Sequence, residues 1–130
     1  EVKTFIASIF ASADPYAGGG RGTTAIDLLK RSRARLDSVA TTDTRSRVEL
    51  LAIIGQSLLM LQDIDDAEAA VLQAVDEGRR LLGPEHPLTL DARLLSLDVH
   101  RFRGRTDRMR EELDDLIPIF RRRRPPAVWP

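Results

Sequence analysis

Apolar residues along the chain recur at intervals of three and four rather than two, in six separate stretches, so the pattern is helical throughout. The first covers about residues 2–13, where Phe5, Ile6, Ile9 and Phe10 share one side. "DPYAGGGRG" ends it, because Pro15 disfavours helix at Asp14 and the glycines raise the entropy of ordering. Thr24 stands as the N-cap of a second helix that carries Ile26, Leu28, Leu29 and Leu36 to about Asp37. After the polar turn "SVATTD", Asp43 can cap a third helix, whose stripe of Val48, Leu51, Ile54, Gly55, Leu58 and Leu61 is the clearest in the chain.

"QDID" breaks that stripe, and Asp65 with Glu68 has the spacing of a capping box for a fourth helix. This helix runs to Leu82, with Ala67, Val71, Ala74, Val75 and Gly78 facing inward. "LLGPEHPLTL" then joins a helix stop to a helix start. Gly83 suits the left-handed residue past a helix end, Pro84 blocks continuation, and Pro87 is preset for a first turn. The fifth helix reaches about Arg103 with Leu90, Leu94, Leu97 and Phe102, and Gly104 ends it. The sixth carries Met109, Leu113, Leu116, Ile117 and Phe120, with Pro118 inside the pattern, where a kink or early fraying is expected.

The second, fourth and sixth helices repeat at a spacing of 42, aligning Ala25, Ala67 and Met109, then Leu29, Val71 and Leu113, then Ser32, Ala74 and Leu116. Helix pairs at a fixed period imply an all-α fold, a short array of about three antiparallel α-hairpins. The hairpins divide the chain into residues 1–41, with the Gly-rich loop; 42–86, the central unit; 87–121, a degenerate or capping unit; and an Arg/Pro-rich tail, 122–130.

Charge changes this picture little. The 20 basic and 20 acidic residues cancel, which removes the simplest argument for nucleic acid or anionic lipid as partner. Their distribution is uneven: seven acids lie in residues 61–85, and nine arginines in 101–124. Arginine exceeds lysine by eighteen to two, which reads as codon bias rather than phosphate recognition. There is no cysteine, so no disulfide framework and no thiolate chemistry. "LLAII" at 50–54 is the longest apolar run, far short of a membrane span. The chain begins at Glu1 with no signal-peptide pattern and reads as part of something longer.

No catalytic constellation emerges. His86 and His100 lack partners at metal-ligand spacing, so His86 reads as a loop residue of the junction and His100 as half-exposed helix surface. "GGGRG" at 18–22 lacks the Gly-Lys-Ser/Thr ending of a phosphate loop. "RRRR" at 121–124 reads as a solvated charge run. No cofactor or metal is expected.

The central unit resembles a tetratricopeptide repeat, with Leu51, Ile54, Gly55, Leu58, Ala67, Val71 and Ala74 at the family's small and apolar places. The Gly-Pro-Glu-His-Pro-Leu-Thr-Leu junction resembles that of the longer, 42-residue repeats of the kinesin light chain type. The third unit departs from the pattern, with Arg93, Ser96 and Leu97 where the motif has Leu, Leu and a small residue, and Met109 for the crossing alanine. "FIASIFASADP" and "TAIDLLKRSRARL" look like the segment leading into such repeats in bacterial serine/threonine kinases of eukaryotic type.

The resemblance implies a right-handed superhelix that binds a protein or peptide on a concave face lined by the first helix of each hairpin. By position that nominates Glu49, Ala52, Gln56, Leu59 and Met60, then Asp91, Leu94, Asp98, Arg101 and Phe102, with Leu59 and Met60 as an exposed apolar pair. It also implies a non-catalytic docking or sensor region of a signalling protein, cytoplasmic unless a membrane span lies upstream. The alternative is a self-association element, the Arg-rich end of one copy on the acidic middle of another. Nucleic-acid binding through that Arg-rich end is the weakest reading.

Overall fold

The computed structural model describes residues 24–38 and 43–123. The helix expected at 2–13, the Gly-rich loop and the tail past Arg123 lie outside the described residues. Five helices are present among them: α1 (Ala25–Ser38), α2 (Thr44–Met60), α3 (Ile64–Glu77), α4 (Pro87–Phe102) and α5 (Thr106–Arg123). A π-helical turn, Gly78–Leu82, extends α3, and no strand occurs among the described residues.

Local chemistry sets the helix ends. Thr24 and Asp27 cap each other reciprocally, the Asp27 N–H donating to Thr24 Oγ1 at 3.1 Å and the Thr24 N–H to Asp27 Oδ2 at 3.3 Å. Asp43 accepts from the Ser46 N–H at 2.9 Å. In the junction, the Gly83 N–H donates to Gly78 O, and Gly83 then takes a φ of +108° that favours glycine. Pro87 opens α4, and His86 caps it, its Nδ1 accepting from the Leu88 N–H at 3.1 Å.

Two expectations about the ends are corrected. α3 begins at Ile64, and Asp65 and Glu68 make no capping box; the two carboxylates bind Arg103 and Arg105 instead. A cap would offer each carboxylate a backbone N–H, whereas a guanidinium offers a full opposite charge and several donors in a fixed fork. α5 does not fray at Pro118 but runs on to Arg123. Asp114 and Pro118 are both exposed, so water can take the carbonyl left without its donor. Arg122 and Arg123 then pin the last turn to Glu85.

Each helix packs on its sequence neighbour, and α4 lies against both α2 and α3. The core is a continuous cluster that includes Leu36, Val48, Leu51, Ile54, Leu58, Ala67, Val71, Ala74 and Val99. Where α2 crosses α3, a Cβ on Gly55 would stand 2.6 Å from Val71 Cγ2, so glycine is required there by contact. Where α4 crosses the end of α3, a Cβ on Gly78 would stand 2.6 Å from Thr89 Oγ1.

The 42-residue register reappears in burial. Ser32, Ala74 and Leu116 are all buried, as are the pairs Val48 and Leu90, Leu51 and Arg93, Ile54 and Ser96, and Leu58 and His100. At 51/93, 54/96 and 58/100 position is therefore kept while chemistry changes from apolar to polar. This corrects the stripe expected on α4: Leu94 and Phe102 are exposed, while Arg93, Ser96 and His100 face inward. It also corrects His100, which is only 8% exposed. Leu61, expected in the core, lies past the end of α2 and is exposed, as are Ile117 and Phe120 on α5.

Arg93, 4% exposed, is matched by Glu112, with Nε and Nη2 donating to one carboxylate oxygen at 3.3 and 3.1 Å. Its burial predicts an asymmetry. Glu112→Ala strands a buried guanidinium and is expected to cost about 2 kcal/mol, whereas Arg93→Met leaves carboxylates that water can reach and is expected to change stability by less than about 1 kcal/mol. Urea unfolding of the two variants checks this, and equal losses would show that Arg93 acts through packing rather than charge.

Candidate functional site

α2 and α4 start side by side. A cleft of about 460 Å³ is lined by Asp43, Arg45, Ser46 and Glu49 from the start of α2 and by His86, Pro87 and Leu88 from the start of α4. The helices thus run in the same sense, and residues 42 apart occupy matching places on one two-helix face. Glu49 matches Asp91, Ala52 matches Leu94, Gln56 matches Asp98, and Met60 matches Phe102.

Most of the nominated residues are on this face and open to solvent. Met60 is 78% exposed, Phe102 51% and Leu94 42%. Glu49, Gln56, Asp91 and Arg101 are exposed and Asp98 half-exposed. Arg101 pairs with Asp98 at 3.3 Å and lies 5.3 Å from the Phe102 ring centroid, a cation–π arrangement. Glu49 and Asp91 have no ion pair among the described residues. Leu59 is the exception: it is 5% exposed and belongs to the core cluster, so the apolar pair reduces to Met60. α2 is flanked by α3 and α4 together, and that double contact buries a wider stripe than one neighbour would.

The uneven charges meet within the chain. Arg103 pairs with Asp65 and Glu68, Arg105 with Glu68, and Arg122 with Glu85, joining the basic end to the acidic middle. Lys30 reaches Asp66 at 2.9 Å, and Arg47 binds Asp37 and Glu77. These contacts hold several carboxyls below the usual range: Glu68 chiefly by the Arg105 hydrogen bond, Asp37 by Gln73 and then Arg47, Asp66 by Lys30, and Asp43 by the Ser46 N–H.

A carboxyl held low in the folded state stabilises it fully above the unfolded value and ceases to as pH falls through the folded one. Stability is therefore expected to be flat from neutrality to about pH 5 and to fall below about pH 4. A series of thermal midpoints checks this, and an unchanged midpoint down to about pH 3 would contradict it.

Among the described residues no group of His, Asp and Glu could hold a metal ion, and no helix is long and apolar enough to cross a membrane. His86 serves as a helix cap. The buried His100 was missed as an interior group; the signal that could have found it is the 42-residue register, which aligns it with Leu58 just as it aligns Arg93 with Leu51.

What these observations define is a class: the described residues are all-helical, five packed helices with an open face on two of them that run in the same sense. Comparison with protein-family models, with curated proteins and with solved structures finds no match to this chain.

Proposed function

We propose that this chain is a non-catalytic protein-interaction module of tetratricopeptide type, which docks a peptide or partner domain on the face shared by α2 and α4. The observation that carries the reading is the exposure of Met60, Leu94 and Phe102 on that face, among Glu49, Asp91 and Asp98. Large apolar side chains held open at matching places on adjacent helices are what an extended or helical ligand would cover. Arg93, Ser96 and His100, buried at the places of Leu51, Ile54 and Leu58, fit a degenerate unit of the same kind.

Together with the junction motif, this supports a docking or sensor region of a bacterial signalling protein, such as a serine/threonine kinase whose catalytic part lies elsewhere. Dimerisation through the Arg-rich end is the weaker reading, since Arg103, Arg105 and Arg122 would first have to leave Asp65, Glu68 and Glu85. Nucleic acid would meet the same competition.

The test is selection of peptides from a random display library on the intact chain, followed by titration of the selected peptides against Met60→Asp/Phe102→Asp. The double variant is expected to weaken binding by about tenfold or more, because both changes remove apolar anchors from exposed positions. Selected peptides that bind it as tightly as the parent would contradict the reading.

A further inference from the structure

The molecule contains two versions of one groove, and only one is filled from within. On the side away from the α2/α4 face, α1 and α3 flank a groove of about 280 Å³, with Leu58 of α2 lining it. Two cations of α1 span it: Lys30 meets Asp66 at 2.9 Å, and Arg33 donates to Gln73 Oε1 at 3.0 Å and to Ala69 O at 3.4 Å. The second groove, about 310 Å³, is flanked by α3 and α5 and lined by Leu72, His100, Arg108, Glu111, Glu112 and Asp115.

The 42-residue register matches the two grooves place by place. Lys30 and Arg33 correspond to Leu72 and Val75, so the spanning cations are replaced by apolar residues. Ala69, Ala70 and Gln73 correspond to Glu111, Glu112 and Asp115, so the opposite wall becomes acidic. Leu58 corresponds to His100, which lies about 200° around α4 from Asp98 and hence opposite the docking face.

His100 is 8% exposed, and its Nδ1 is buried without a hydrogen-bond partner. A buried polar atom left so is costly unless something meets it. The groove's own cations leave acidic capacity over. Arg93 is taken up by Glu112 and lies 3.8 Å from Asp115, and Arg108 stands at the place of Asp66. Glu111 has no ion pair among the described residues, and the Asp115 side chain is 73% exposed.

We propose that the groove between α3 and α5 is a binding site for the cationic side chain of a partner peptide, an arginine or a lysine. The guanidinium or ammonium takes the place that Arg33 occupies in the first groove, facing Glu111 and Asp115 where Arg33 faces Ala69 and Gln73. It donates to Glu111 and Asp115 on the α5 wall, and a turn of the His100 ring toward the groove brings Nδ1 to accept as well, with the ring proton on Nε2. The stem of the side chain runs along Leu72, as arginine and lysine stems do on apolar surface. This site is separate from the docking face and does not depend on it.

The chain's two histidines make the test direct, because His86 caps α4 and serves as an internal control. Imidazole resonances of the intact chain are followed by NMR at constant ionic strength. The titrants are the acetylated, amidated peptide Gly-Arg-Gly, its lysine counterpart, and a matched citrulline peptide that keeps the shape and lacks the charge. The arginine or lysine peptide is expected to shift the His100 signal saturably, with His86 unmoved and the citrulline peptide inert.

Glu111→Gln/Asp115→Asn changes exposed side chains and is expected to weaken the arginine peptide by about fivefold or more. Leu72→Lys/Arg108→Asp rebuilds the Lys30–Asp66 pair in the second groove and is expected to abolish the response. Met60→Asp/Phe102→Asp is expected to leave it intact, which separates this site from the docking face. An equal shift with citrulline, no saturable shift with either cationic peptide, or undiminished affinity in Glu111→Gln/Asp115→Asn would overturn the proposal.

Discussion

Replacing Arg47 by methionine is expected to lower the unfolding free energy by about 3 kcal/mol and the thermal midpoint by about 10 °C. Arg47 joins three helices: its Nε donates to Glu77 Oε1 at 2.5 Å, Nη1 to Leu36 O and Nη2 to Asp37 Oδ1, both at 2.6 Å. Leu36 O belongs to the last turn of α1, where carbonyls lack intrahelical donors. Glu77 is 7% exposed, and removal of the guanidinium leaves it only the Gln73 amide at 2.9 Å. Breaking one side of such a pair exceeds what the intact pair contributes, because a buried charge is stranded. The double variant Arg47→Met/Glu77→Leu is accordingly expected to recover most of the loss. Urea unfolding measures both, and a single variant within about 0.5 kcal/mol of the parent would contradict this role.

Enlarging Gly55 has the second large effect expected. Gly55→Leu should cost about 3 kcal/mol or more, since the added atoms enter the closest crossing in the core. Gly55→Ala separates two opposing terms. Alanine gains up to about 1 kcal/mol of helix propensity, but its Cβ stands 2.6 Å from Val71 Cγ2 and 3.3 Å from the Val71 backbone nitrogen. Val71 is β-branched, 1% exposed and on a helix, so it has little freedom to turn away. The steric term is expected to win, giving a net loss of about 1 kcal/mol. Adding Val71→Ala removes the clashing methyl, so the pair of changes should be less harmful than the sum of the singles by about 1 kcal/mol. Strict additivity would show that the Val71 methyl is not what the alanine meets.

Much of the fold was legible because it is dictated locally. Thr24, Asp43, Gly83, Pro87 and Gly104 act within a few residues of themselves, and each helix boundary they imply is present. Gly55 was legible for a different reason: glycine in the middle of an otherwise strong helix costs stability unless a neighbour demands it. The errors fall where a distant partner overrides a local pattern. Asp65 and Glu68 look like a cap until Arg103 and Arg105 arrive from the α4–α5 turn. His100 reads as surface because polarity was taken for exposure, and Arg93, standing where the motif has Leu, is buried because Glu112 makes that tolerable.

The nominated face was legible through spacing and resemblance together, apart from Leu59, which is buried in the core of an α2 flanked by both α3 and α4. The second groove was not, because neither its acidic wall nor His100 stands out in isolation. It becomes visible only when residues 42 apart are compared after their burial is known.

Docking on the α2/α4 face is most directly tested by the methyl resonances of the chain's two methionines. Met60 lies on that face at 78% exposure, and Met109 lies on α5. With methyl-labelled methionine and a peptide selected on the intact chain, the expected result is a saturable shift of the Met60 signal while Met109 holds its position. Binding that saturates with Met60 unmoved would place the partner elsewhere and contradict the proposed function.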